Sequence, residues 1–173
     1  IIIPADPSLS PTLAQTSQAD RPHILFCKAT GRFVCWIKIM EKDRTQDYTI
    51  LSAAQLLGPY KLEKEHFRPF GFSGGDFDLA QENGEACIFF EKVHSEMICA
   101  RLTPDHLDVE EGVHFLERPH PPFVREAPAH FARENTHYLI TSGTTGYFPN
   151  PSLLCTAKQL FAVYTEAGDP HSG

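Results

Sequence analysis

The sequence predicts an all-β fold, a β-propeller of which about three blades are present, and three observations carry that reading. Acid-headed units start at Asp20 (DRPHILFCKATGRFVCWIKI), Asp76 (DFDLAQENGEACIFFEKV) and Glu126 (EAPAHFARENTHYLITSG), about fifty residues apart, a period typical of propeller blades. Each unit runs from its acid through an apolar stretch to a turn and back as a strand. The turns are Thr30-Gly31, Asn83-Gly84 and Asn135-Thr136, and Asn-Gly is a strong hairpin signal. The second halves also match: Thr49 to Ala54, Glu96 to Arg101 and Ser152 to Ala157 each read as a third strand followed by a bend and a fourth.

Taken in order, residues 1–19 are rich in Pro, Ser, Thr and Gln after an apolar start. They read as an extended connection, or the remnant of a preceding blade, ahead of a partial propeller domain over 20–173. Asp20-Arg21-Pro22 opens the first blade, and Arg21 offers a fork of donors either to sugar hydroxyls or to a structural ion pair. Trp36 alternates with apolar neighbours and reads as core rather than as a sugar platform. Glu41 to Asp47 reads as a solvated charged loop. Gly74-Gly75 is expected to let the backbone bend sharply before Asp76. Asp78 alternates with Asp76, so the two share a strand face, either raising one another's pKa or bonding backbone amides. His94, between the second and third strands of the middle blade, is a candidate ligand contact.

Leu116 to Pro122 is a stiff linker into Arg125-Glu126. Pro128, two residues after the acid, cannot donate to a sheet ladder, which sets Glu126 at a strand entrance. Ser142 to Tyr147 closes the second strand as a Gly/Thr-rich loop. Thr144, Thr145 and an exposed Tyr147 there suit a polyhydroxylated ligand. Because the innermost strand of every blade runs along the central channel, Asp20, Asp76 and Glu126 are expected to face one pocket.

Composition narrows the partners. A net charge of −7 leaves no basic stripe for nucleic acid. No apolar run reaches the roughly eighteen residues of a membrane span. The five cysteines lack metal-ligand spacing and read as buried, unpaired thiols, which leans mildly toward a cytoplasmic setting over an oxidising one. The nine histidines form no HxH or HExxH pair, so neither a metal nor a cofactor is expected. Three blades leave two faces to cover, so the chain is expected to be an excerpt of a larger propeller or to self-associate through those faces. The missing initiator Met and the ending at Asp169 to Gly173 point to the excerpt.

Three stretches carry a family resemblance: Asp76 at the head of DFDL…NGEACIFFE, then LTPDHLDVE, then REAPAHF…HYLITSGTTGYFPN. From about Asp20 to Pro170 the chain resembles glycoside hydrolase family 43, in particular the branch of exo-β-1,3-galactanases and β-xylosidase-like enzymes. The resemblance implies a five-bladed propeller that hydrolyses β-linked galactosides, or xylosides and arabinosides, with inversion. It implies Glu126 as general acid and Asp76 as the second acid that orients Glu126 and raises its pKa. Asp20 stands where that branch carries the Glu of an ERP motif, a substrate contact, and Thr144, Thr145 and Tyr147 fall in the loop bordering the sugar subsite. Such a mechanism needs an acid and a water-holding base about 6.5–9.5 Å apart. The family's base lies on a first blade, or in the galactanase branch is a Gln on the last, and neither blade has a counterpart here. The alternative expectation is therefore a catalytically incomplete fragment that binds carbohydrate or serves as an interaction module.

Overall fold

The computed structural model describes residue 3 and residues 6–171. Most of the apolar start at Ile1 to Pro4, and the final Ser172-Gly173, lie outside the described residues. The fold is all-β, as the sequence predicts: three four-stranded antiparallel sheets in which each strand pairs with the next in the chain. The first sheet holds β1 (Gln18–Cys27), β2 (Arg32–Met40), β3 (Gln46–Ala53) and β4 (Lys61–Phe67). The second holds β5 (Gly74–Glu82), β6 (Glu85–Lys92), β7 (Glu96–Leu102) and β8 (Val109–Phe115). The third holds β9 (Arg125–Arg133), β10 (Thr136–Gly143), β11 (Leu153–Ala157) and β12 (Thr165–Gly168). Strand β5 packs between β1 and β9, so the first strands of the three sheets lie side by side.

Local chemistry explains the hairpins. Asn83 and Gly84 both take positive φ, 52° and 89°, as a two-residue turn of matching twist requires. In the third blade the turn is Glu134-Asn135, one residue earlier than the sequence suggests, with Glu134 at φ 55°. The last strand, β12, is short, from Thr165 to Gly168.

Two cores lie between the sheets and a third lies outside the first. Leu25, Val34, Trp36, Tyr48 and Ile50 meet Phe77, Leu79, Ile88, Phe90 and Ile98 between the first and second sheets. Trp36 is wholly buried there, its Nε1 donating to His106 O at 3.0 Å. Phe89, Met97 and Cys99 meet Leu139, Cys155 and Tyr164 between the second and third. All five cysteines are buried free thiols. The connection before β1 does more than link: Leu9 and Leu13 cover Cys35, Ile37, Ile39 and Leu51 on the outer face of the first sheet. The Thr12 and Thr49 hydroxyls bond at 2.6 Å beneath that cover, and Ser10 bonds Glu65.

Asp78 ties the inner strands together. Its Oδ1 lies 2.8 Å from His23 Nδ1 on β1, and its Oδ2 accepts from His130 N on β9 at 2.7 Å. It also accepts from Leu79 N at 3.0 Å, so of the two readings the amide-bonding one describes it. Asp78→Ala leaves the His130 and Leu79 amides without that acceptor. It is expected to cost about 2–3 kcal/mol in urea denaturation, since each bond to a charged group contributes about 1.5–3 kcal/mol. A loss below about 0.5 kcal/mol, typical of an idle surface residue, contradicts the clamp.

Candidate functional site

The same irregularity marks the entrance of each inner strand. Register slips by one residue between Asp20 and His23, between Gly74 and Phe77, and between Glu126 and Ala129. Arg21 and Ala127 sit in these bulges with φ 50° and 52°. The proline that follows each has no N–H, so the slip there forfeits no donor. Bulges of this kind re-aim side chains, and here they do so at one end of three adjacent strands.

The register also refines the expected equivalence of the three acids. Asp20 faces Lys38, Gly74 faces Lys92 and Glu126 faces Ser142, so Asp20 and Glu126 are equivalent and Gly74 is their counterpart. Asp76 lies two residues further along, at the level of Pro22 and Pro128.

Lys38 of β2 organises the first half of the site. Its side chain is only 7% exposed, and its Nζ lies 2.7 Å from Asp76 Oδ1 and 3.2 Å from Asp20 Oδ1. Arg21 Nη2 approaches the other Asp76 oxygen at 2.8 Å. Burial works to raise the Asp76 pKa, but Lys38 and Arg21 outweigh it and hold the carboxyl below its usual range. Burial likewise works against charge on Lys38, and Asp76 and Asp20 reverse that, holding it above its usual range.

Glu126 meets the opposite balance. Half-buried at the entrance of β9, it has its pKa raised by burial first, then by the negative charges of Glu91 and Asp76; His94 and Arg21 pull the other way. Glu91 is 2% exposed, and its Oε1 accepts from His94 N at 2.8 Å and lies 2.8 Å from His94 Nδ1. Gly75 makes room for this carboxylate, since a Cβ there would overlap Glu91 Oε2. The neighbouring Gly74 makes room for the buried ring of Tyr48, whose hydroxyl donates to Gly75 O at 2.8 Å. Neither glycine has positive φ. They serve close approach rather than the sharp bend expected from sequence.

The loop after β10 is held by Asn150. Its Oδ1 accepts from Gly143 N at 2.6 Å and its Nδ2 donates to Thr145 Oγ1 at 2.7 Å. Thr145 Oγ1 donates in turn to Phe148 O at 2.6 Å, so that hydroxyl is engaged inside the loop. Thr144 N is bonded back to Pro122 and Val124 carbonyls at 3.2 Å, while its buried hydroxyl has no hydrogen-bond partner among the described residues. Tyr147 and Phe148 stand fully out at the tip.

The structure thus gathers Asp20, Arg21, Asp76, His94 and Glu126 at one strand end and leaves Tyr147 on an exposed rim. Lys38 and Glu91 are members that sequence reading missed. A lone lysine inside VCWIKIM, and a glutamate directly after Ile88-Phe89-Phe90, are charges in buried runs, and such charges demand partners.

No protein-family model matches the chain, and no curated protein matches it significantly. Solved structures do. A family 43 β-1,3-galactosidase with galactodeoxynojirimycin superposes with TM-score 0.84 at 19% identity, over 98% of this chain and 63% of that one. This is the fold of the family 43 glycosidase propeller, in part. An exo-β-1,3-galactanase from Clostridium thermocellum matches with TM-score 0.76 at 21% identity, over 92% of this chain and 37% of that one. The enzyme from Phanerochaete chrysosporium with β-1,3-galactotriose matches with TM-score 0.76 at 19% identity, over 91% and 37%. Across the first neighbours the chain spans from 33% to 63% of their length. The likeness is one of fold.

Proposed function

We propose that the chain carries the acid half of an inverting glycosidase centre acting on β-linked galactosyl ends, or xylosyl and arabinosyl ends, of an oligo- or polysaccharide. The observation that supports it is the opposed pair of carboxyl environments: Glu126 pushed up toward its protonated form, Asp76 held ionised by Lys38 and Arg21. Neighbouring carboxyls driven apart in this way separate a proton donor from a fixed anion. Glu126 protonates the glycosidic oxygen as the bond to the anomeric carbon breaks, while a solvent water adds to that carbon from the opposite face and gives its proton up to solvent. Asp76, with Glu91 behind Gly75, keeps that proton in place until then. Asp20, Arg21 and His94 hold sugar hydroxyls beside it, and Thr144, Thr145 and Tyr147 border the subsite. No residue of this chain is assigned as the water-holding base.

That last point favours a second reading, a propeller segment that binds carbohydrate without turning it over. Hydrolysis of aryl β-galactosides, β-xylosides and arabinosides by the wild-type chain and by Glu126→Gln separates the two, with galactose and β-1,3-galactobiose binding measured in parallel. The enzyme reading predicts turnover by the wild type that the variant loses while sugar binding persists. Equal inertness with binding intact leaves the binding module. Neither turnover nor binding defeats both.

A further inference from the structure

We propose that Glu41, Asp47 and His66 form a binding site for a zinc-type divalent cation at the outer part of the first sheet, apart from the carbohydrate site. Three adjacent stretches supply one ligand each: Glu41 just after β2, Asp47 in β3, and His66 near the end of β4. From sequence, Glu41 to Asp47 is expected to be solvated, but Asp47 is strand residue and wholly buried. His66 Nδ1 lies 3.1 Å from Glu41 Oε1 and 3.3 Å from Asp47 Oδ2. Tetrahedral coordination at bond lengths of about 2.0–2.1 Å separates ligand atoms by about 3.3–3.4 Å, close to the two spacings from His66, and all three ligand atoms lie within 4.8 Å of one another.

One orphaned atom points to a ligand. Asp47 Oδ1 is buried on a wholly buried side chain and has no hydrogen-bond partner among the described residues, and Glu41 Oε1, also buried, has only the His66 ion pair. A single histidine shared by two carboxylates leaves a buried anion uncompensated, an arrangement that native structures avoid. Arg68 approaches Asp47 Oδ2 only to 3.9 Å and donates instead to Thr45 Oγ1 at 3.2 Å. The donor set selects the ion. Calcium takes six to eight oxygens and magnesium keeps its waters, whereas two carboxylates and an imidazole suit zinc and leave a fourth position open to solvent. His66 is exposed on its outer side, which gives the ion its way in.

Isothermal titration of the tag-free chain with zinc chloride tests this, with magnesium and calcium chlorides in parallel and thermal unfolding followed over the same zinc range. The expected result is one saturable zinc site, a melting temperature that climbs with zinc, and no matching effect of the other two ions. His66→Ala, at an exposed side chain, and Glu41→Gln are each expected to weaken zinc binding more than about tenfold. Arg68→Ala, which removes a competing cation, is expected to tighten it or leave it unchanged. Unsaturable zinc uptake, or unchanged affinity in His66→Ala, overturns the proposal.

Discussion

Lys38→Met is expected to cost about 3–5 kcal/mol in urea denaturation, the typical penalty for stripping one partner from a buried ion pair. The reason is where Lys38 sits. Its ammonium, on a side chain only 7% exposed, lies between Asp76 and the more open Asp20, and Asp76 is itself only 14% exposed. With methionine in place the stem still packs, so the loss isolates the charge. Arg21, 37% exposed, remains on one Asp76 oxygen and keeps the cost toward the lower end of that range. Adding Asp76→Asn removes the stranded anion, so the double variant is expected to recover much of the stability, because deleting both partners of a buried pair is often near neutral. A single variant within about 0.5 kcal/mol of wild type would remove Lys38 from its central place.

Gly74→Ala is the second large effect, expected at about 3 kcal/mol, the upper part of the range for overpacking a tight core. The added methyl would lie 2.6 Å from Tyr48 Oη, 2.7 Å from Cε2 and 2.8 Å from Cζ. The ring cannot retreat. It is wholly buried, bonded to Gly75 O, and wedged by Trp36 at 5.7 Å and Phe77 at 4.9 Å between ring centroids. Tyr48→Phe removes only one of the three clashing atoms, so adding it to Gly74→Ala is expected to restore little. Full recovery in that double variant would mean the hydroxyl alone was in conflict and the packing argument fails.

Strand number, blade period and the strand-entrance places of Asp20 and Glu126 are legible because each rests on local chemistry: alternation, the hairpin turns, and a proline two residues after each of those acids. Legibility stopped where function of a residue depends on a distant partner. Gly74-Gly75 reads in sequence as a sharp bend, and only the approach of Tyr48 and Glu91 from other strands shows why neither carries a side chain. Asp76 and Asp78 alternate along one strand, yet Asp76 meets cations from β1 and β2 while Asp78 takes an amide from β9. The bulges hid the true register, so Asp76 passed as the equivalent of Asp20 and Glu126 when Gly74 holds that place. Asp47 was misread for a related reason: a charge beside Glu41 and Asp43 resembles solvated loop until β3 draws it inside.

The central claim is that burial, together with the negative charges of Glu91 and Asp76, raises the Glu126 carboxyl above the ordinary glutamate range, and its carboxyl titration followed by carbon-detected NMR tests that directly, with the signal assigned by its loss in Glu126→Gln. The midpoint is predicted above the ordinary glutamate value of 4.5 and is predicted to fall in Glu91→Gln, since removing a nearby negative charge eases ionisation. A midpoint at or below the ordinary value, unmoved by Glu91→Gln, would contradict the account.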